Sequence, residues 1–374
     1  MGRVRRHGAR RAVAGHAGRR AGAAGDGPGR VGLGPRGPPR SCRRDRLNEG
    51  DSTVRAYVTG GTGFVGSNIV KVFADRHGAT VHCPVHRFVP ADTGGFTAER
   101  LDLLDDGAVQ ASVDEFDPDV IVHSMILNDF AAMYADRDLA WRSFAGTTES
   151  LARAADRVEA KLILVSTDWV FDGTQAGADE DTPPNPVNLY GVLKMASEQT
   201  AMLSAARAAV ARVSAVSGMH WMRDSTPRVQ DGGFGYFVTS IVEALEAGEP
   251  FAVWEADNIN MVASPSLASE CAEVMWRIAA DASATGIFHC CGAESVGRME
   301  LARIACDVFD LDPSLLGSTP PDTSAVGAVG EFPIPYDTSL TVRRTREVLG
   351  YEPPGIRDLL ARFRTERASG SLAA

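Results

Sequence analysis

The sequence predicts an α/β fold, a doubly wound parallel sheet of the Rossmann type with a smaller C-terminal lobe. Three observations carry that prediction. Short runs of β-formers alternate with longer helical patterns from Val54 to Val216, the rhythm of right-handed βαβ units. A glycine-rich turn, Gly60-Gly61-Thr62-Gly63-Phe64-Val65-Gly66, joins the first strand to the first helix. The run Leu162-Ile163-Leu164-Val165 reads as a buried parallel strand that ends in two hydroxyls, Ser166 and Thr167.

In chain order, residues 1–53 are mostly Arg, Gly, Ala and Pro without aliphatic periodicity. Such a segment cannot bury a core and is expected to be a disordered low-complexity tail. It lacks an apolar stretch for a secretory signal, leaving a transit peptide or a basic nucleic-acid arm as alternatives. No Met lies between Met1 and Met125, so translation is expected to start near Val54 in the native host.

Val54–Thr59 is the first strand and Ser67–His77 the first helix. Between them Gly60, Gly63 and Gly66 permit the tight turn that lets a pyrophosphate approach the helix N-terminus, with Phe64 and Val65 lining it. Ala79–Arg87 is the second strand, with Pro84 near its end. An acid after this strand binds the ribose of NAD, whereas an arginine there accommodates the 2′-phosphate of NADP. No acid appears before Asp92 and Arg87 is in place. NADP is therefore the preferred cofactor, with NAD as the alternative.

Arg100–Leu104 is expected as a short third strand that sets Asp102 and Leu103 beside the adenine. Asp117-Pro118 forms a turn into a fourth strand ending at His123, a core histidine, and Ser124, a cofactor neighbour. Leu139–Arg157 is expected as one long helix, Leu189–Ala209 as another, and Val210–Val216 as the sixth strand. These define a dinucleotide-binding domain over 54–216. Residues 217–374 form a smaller substrate-binding lobe with some chain return to the first domain. There Gly218–Gly235 and Pro313–Ile334 read as loops, and Gly286–Cys290 as a strand. Helices are expected over Phe234–Gly248, Ser264–Asp281, Met299–Phe309, Thr338–Leu349 and Ile356–Ser369.

Composition excludes several classes. The chain of 374 residues has net charge −10, yet its first 53 residues hold 13 Arg against four acids, leaving −19 for the rest. A body that acidic is a poor nucleic-acid binder. No run of 18 apolar residues suggests a membrane span. Six cysteines without a Cys-x-x-Cys pair read as buried thiols in a reducing cytoplasm. The single His-x-x-x-His among the eight histidines, His82 and His86, falls in the second strand rather than on a helix, and no metal site is expected.

Tyr190 and Lys194 stand four apart in a helical pattern, so they share one helix face. A nearby ammonium favours phenolate and lowers a phenol's pKa. With a hydroxyl opposite to hold a carbonyl, the set is suited to proton donation in carbonyl reduction. Lysine is scarce in this chain, occurring only as Lys71, Lys161 and Lys194. A solvated Tyr-x-x-x-Lys is accordingly the weaker reading.

At these residues the chain resembles the extended short-chain dehydrogenase/reductase family, and within it the dTDP-4-dehydrorhamnose reductase-like branch. The carriers are Thr59–Gly66, Asp117–His123, the block Ser166-Thr167-Asp168-Trp169-Val170-Phe171-Asp172-Gly173, and Glu180–Lys194. Arg212-Val213-Ser214, Gly286–His289 and Asp337–Gly350 extend it towards the C-terminus. The resemblance implies an NAD(P)-dependent oxidoreductase of carbohydrate biosynthesis, acting on a keto group of a nucleotide-linked deoxysugar. By it Thr167 orients the carbonyl with Ser166 as its neighbour, Tyr190 donates the proton, and Lys194 binds the nicotinamide ribose. Two departures lie at the nicotinamide end: Arg142–Thr147 lacks the family's Asn, and His123-Ser124-Met125-Ile126 replaces small residues. A homodimer is compatible with the resemblance. The competing readings are a regulatory subunit resembling the methionine adenosyltransferase β subunit, which shares the branch, and an NAD-dependent sugar-nucleotide epimerase or dehydratase.

Overall fold

Seven parallel strands form the central sheet of the computed structural model, which describes residues 53–86, 88, 95–127, 129–223, 230–322 and 332–374. Residues 1–52 and Arg87 lie outside the described residues, and with them the expectations for the tail and for the 2′-phosphate arginine. Six strands are β1 (Arg55–Thr59), β2 (Thr80–Val85), β3 (Phe96–Arg100), β4 (Val120–His123), β5 (Lys161–Thr167) and β6 (Ala208–Val213). A seventh, Gly286–His289, pairs with β6, and the spatial order runs from it through β6, β5, β4, β1 and β2 to β3. The direction of chain progression reverses between β1 and β4, which creates a switch point at their carboxyl ends.

Apolar residues on both faces make this a buried sheet. One face packs Ile69, Val72 and Phe73 with Val274, Met275 and Ile278 of the Ala268–Ala280 helix. The other packs Val109, Val113, Leu151 and Ala155 against Tyr57, Ile121 and Leu162. A second core joins the helices Phe237–Glu246, Arg298–Phe309 and Ile356–Ser369 through Phe237, Ile241, Leu301, Phe309 and Phe363.

Every residue of β5 is buried, including Lys161 at its start. The Lys161 ammonium donates to the carbonyls of Ile278 (2.6 Å), Ala284 (2.9 Å) and Asp281, just where the Ala268–Ala280 helix runs out of partners for its last carbonyls. A second buried cation, Arg212 on β6, makes a two-pronged pair with Glu198 of the Leu189–Ser204 helix, at 2.9 and 2.7 Å, both side chains fully buried.

Several boundaries differ from the sequence expectation. The helix expected to Ala209 ends at Ser204, and β6 begins at Ala208. Helix propensity in that alanine-rich run yields to pairing with β5, from Leu162 opposite Ala208 to Thr167 opposite Val213. The third strand is Phe96–Arg100, four residues earlier than expected, because its partner β2 ends at Val85 opposite Arg100. Leu101–Leu104 is instead a turn, closed where the Leu104 amide donates to Asp102 Oδ1 at 3.0 Å. The long helix is a continuous path from Arg137 to Arg157 with a π-turn at Arg142–Gly146. The helix expected from Thr338 starts at Arg343, and Asp337-Thr338 pairs with Val262-Ala263. Phe251–Trp254, not expected as a strand, pairs with Leu316–Thr319 inside a stretch read as loop.

Breaking the Glu198–Arg212 pair from one side leaves a buried charge without compensation, at a cost of about 3–5 kcal/mol. Arg212→Met is expected to lose stability on that scale in urea unfolding, whereas Arg212→Met combined with Glu198→Met recovers most of it. A single variant within about 1 kcal/mol of the parent would show that the pair does not hold these elements together.

Candidate functional site

The glycine turn is shaped by space as much as by backbone angle. Gly60 has φ +70°, and a Cβ there would lie 2.7 Å from the Met125 amide nitrogen. At Gly66 a Cβ would lie 2.0 Å from the Gly60 carbonyl oxygen. Gly63 differs, since it is exposed and its Cβ would meet only that same oxygen, at 3.2 Å. Gly60 and Gly66 are thus required by the fold, while Gly63 presents bare backbone outward. The helix Phe64–Lys71 that follows has no side-chain cap, so its first N–H groups face the mouth of the turn as a ready site for an anion.

That turn forms one wall of a cavity of about 510 Å³. Gly60, Gly63, Phe64, Val65, Gly66, Ser124, Thr167 and Tyr190 all line it. Ser124 is fixed there by its hydroxyl, which donates to the Thr59 carbonyl at 2.7 Å. The Tyr190 ring stands at the first turn of the Leu189–Ser204 helix, whose N-terminus is capped by Asn188 Oδ1 accepting from the Gly191 amide at 2.9 Å. Three aromatic rings surround Tyr190: Phe130 at 5.7 Å between centroids, Phe144 at 6.1 Å and Trp169 at 6.1 Å.

Lys194, one turn further, is buried, and its ammonium donates to the Val165 carbonyl at 2.8 Å. Burial draws its pKa from 10.5 down to about 8, with Glu198 opposing the shift. His123 lies behind the same wall, bridging Thr59 Oγ1 (2.7 Å) and Thr147 Oγ1 (3.3 Å). Burial and the Lys194 charge hold its pKa at about 3, so it is a neutral core side chain at physiological pH.

Thr167 and Ser166 point to opposite faces of β5, as strand alternation requires. The Thr167 hydroxyl donates to Asp168 Oδ1 at 3.0 Å and lines the cavity. The Ser166 hydroxyl donates to Glu198 at 2.5 Å inside the protein and does not line it. The cavity also leaves out Lys194, which is buried behind it, and Asp102 and Leu103: Asp102 is exposed in the turn after β3, and Leu103 packs against the core beneath the sheet.

Residues not singled out from the sequence complete the cavity. Asp168 is buried with its carboxylate taking the hydroxyls of Ser214 (2.7 Å) and Thr338 (2.6 Å) besides Thr167. Burial raises its pKa against those hydrogen bonds. Its signal in the sequence was its position immediately after Ser-Thr. His220, Arg223, Asp231 and Tyr236 form the wall facing the glycine turn. The first three come from the stretch read as a loop, whereas Tyr236, expected inside the Phe234–Gly248 helix, stands just before its observed start at Phe237 with a left-handed backbone, φ +55°, and its ring 4.7 Å from Phe64.

Comparison with known proteins places this arrangement. The family model of the RmlD substrate binding domain matches residues 54–368. Among curated proteins, the methionine adenosyltransferase 2 subunit beta of Xenopus tropicalis is 30% identical over 320 residues, covering 84% of this chain and 89% of that protein. The probable low-salt glycan biosynthesis reductase of Haloferax volcanii is 25% identical over 319 residues, covering 82% and 96%. Among solved structures, dTDP-4-dehydrorhamnose reductase from Bacillus anthracis, in complex with NADP, superposes with TM-score 0.66 at 21% identity, over 84% of this chain and 99% of that one. The Bordetella bronchiseptica enzyme WbmG, in complex with NAD and UDP, gives TM-score 0.66 at 19% identity, over 86% and 96%. The Rossmann-like sheet is common to them, and the protein belongs to the RmlD substrate binding domain family, in the extended short-chain dehydrogenase/reductase-like superfamily.

Proposed function

We propose that the protein is an NADPH-dependent reductase of a keto group on a nucleotide-linked deoxysugar, with Tyr190 as the proton donor. The observation that carries this reading is that Thr167 and Tyr190 share one cavity with the glycine turn and its uncapped helix. The close approach allowed at Gly63 and the open N–H groups behind it fit the pyrophosphate of a dinucleotide. When bound, the nicotinamide supplies the hydride. Residues 54–216 would hold the pyrophosphate and nicotinamide of the cofactor, and 217–374 the sugar.

The chain's own groups then have distinct tasks. Thr167 offers a hydroxyl at the end of β5 to position the carbonyl. Tyr190 delivers a proton to the developing alkoxide. Lys194 holds a positive charge one turn along the same helix, and its contact with the nicotinamide ribose would require its ammonium to turn from the Val165 carbonyl towards the cavity. The aromatic rings around Tyr190 keep water from competing for the proton.

The sequence relatives favour a second reading, a dinucleotide-binding subunit of a methionine adenosyltransferase. Both readings use the glycine turn, but only the reductase needs the Tyr190 hydroxyl.

Three outcomes test the proposal. Gly63→Val is expected to leave a folded protein, since only one atom must give way, and to abolish thermal stabilisation by NADPH. A variant still stabilised by the dinucleotide would put the phosphate site elsewhere. Tyr190→Phe keeps the ring and is expected to bind NADPH normally while slowing single-turnover reduction about 10²–10⁴-fold. The substrates are a panel of keto-sugar nucleotides, followed by nicotinamide absorbance. A few-fold loss would exclude Tyr190 as the acid. Tight NADPH binding with no turnover on any member, together with association with a methionine adenosyltransferase catalytic chain, would favour the subunit.

The pH dependence follows from Lys194. Its ammonium is present below about pH 8 and lost above it, so NADPH affinity is expected to fall above pH 8 by up to about tenfold per unit. Folding stability moves the other way. Between about 8 and 10.5 the unfolded chain holds more protons on Lys194 and on Lys161, whose pKa is also drawn down to about 8, so stability rises with pH. Titration of the wild type and of Lys194→Met checks both, and an affinity limb that persists in the variant would remove Lys194 from the ribose contact.

A further inference from the structure

We infer that Arg223, brought from far along the chain, grips the 2′-phosphate of the dinucleotide and selects NADPH over NADH. This rests on the dinucleotide reading of the glycine turn and adds a specificity residue that follows from no local motif.

The segment carrying Arg223 is pinned to the first helix. Asn68 Nδ2 donates to the Met219 carbonyl at 2.8 Å, and Trp221 Nε1 donates back to Asn68 Oδ1 at 2.8 Å. The Trp221 amide reaches Ser67 Oγ at 3.3 Å, and the Lys71 ammonium sits 5.3 Å from the Trp221 ring. These contacts hold the segment on the helix whose N-terminus opens at the phosphate site.

So anchored, Arg223 is exposed, and its guanidinium carbon lies 5.7 Å from the centre of the Phe88 ring. Phe88 is three residues past the end of β2. In a doubly wound sheet, the residues just beyond that strand stand at the adenosine ribose, where an acid reads the 2′-hydroxyl or an arginine the 2′-phosphate. Arg223 also lines the cavity that holds Gly60–Gly66. A guanidinium within reach of an aromatic face is drawn to it while its N–H fork stays available for phosphate oxygens.

The experiment is a binding titration of the full chain with NADPH, NADH and 2′,5′-ADP, on wild type, Arg223→Gln and Arg223→Lys. Arg223→Gln is expected to weaken NADPH and 2′,5′-ADP about 10–100-fold, the range for losing a charge-assisted hydrogen bond. NADH should stay within about twofold, and Arg223→Lys should restore part of the loss. Equal weakening of NADPH and NADH, or no weakening of NADPH, overturns the assignment while leaving the cofactor reading intact. A wild type that binds neither dinucleotide overturns both.

Discussion

The pair between Glu198 and Arg212 sets the geometry on which the candidate site depends. Both charges are fully buried, so neither can be satisfied by water, and each is held in place by the other. Glu198 lies one turn beyond Lys194 on the same helix and accepts the hydroxyl of Ser166, the neighbour of Thr167. Arg212 sits on β6, 5.0 Å from the Phe171 ring and 3.5 Å from His289 Nε2. Burial and that guanidinium keep His289 neutral, with a pKa of about 3. One ion pair thus ties the proposed catalytic helix, the strand carrying Thr167 and the neighbouring strand from beneath. An exposed pair such as Arg357–Asp307, more than 60% exposed on both sides, is worth 1 kcal/mol at most.

What the sequence made legible was local. Strand and helix periods revealed the alternation of the sheet, and the four-residue spacing of Tyr190 and Lys194 needs only one helix to be meaningful. The Ser166–Thr167 pair shows where a local rule was available and unused. Adjacent residues of a strand face opposite ways, so only one of two neighbouring hydroxyls can enter the cavity. The end of the helix at Ser204 was not legible, because alanine runs favour helix until a neighbouring strand claims their backbone. Arg223 and Tyr236 were hidden for a different reason, since their place over the glycine turn is set by contacts with residues about 150 to 170 positions earlier.

The neighbourhood of Lys194 also explains how His123 is accommodated at the end of β4. Its ring bridges two threonine hydroxyls and carries no charge, so it adds bulk without adding a competing cation. The π-turn at Arg142–Gly146 lies along the same side and supplies the Phe144 ring, whose face is 5.7 Å from the Lys194 ammonium. An aromatic ring and a neutral imidazole therefore stand beside the Lys194 ammonium, while the Asp168 carboxylate lies beside Thr167 in the cavity.

The seventh strand has a consequence for the chain as a material. Gly286–His289 covers the outer edge of β6, and it arrives more than seventy residues after β6 is complete. Until then a strand of alanine and valine, with Arg212 its one charged residue, presents open backbone donors and acceptors to any other chain. A ribosome-bound or truncated chain ending near Val216 is in this state, with an adhesive margin that invites strand-to-strand association. The late strand serves as the selvedge of the sheet, and solubility during synthesis depends on how soon it is woven in.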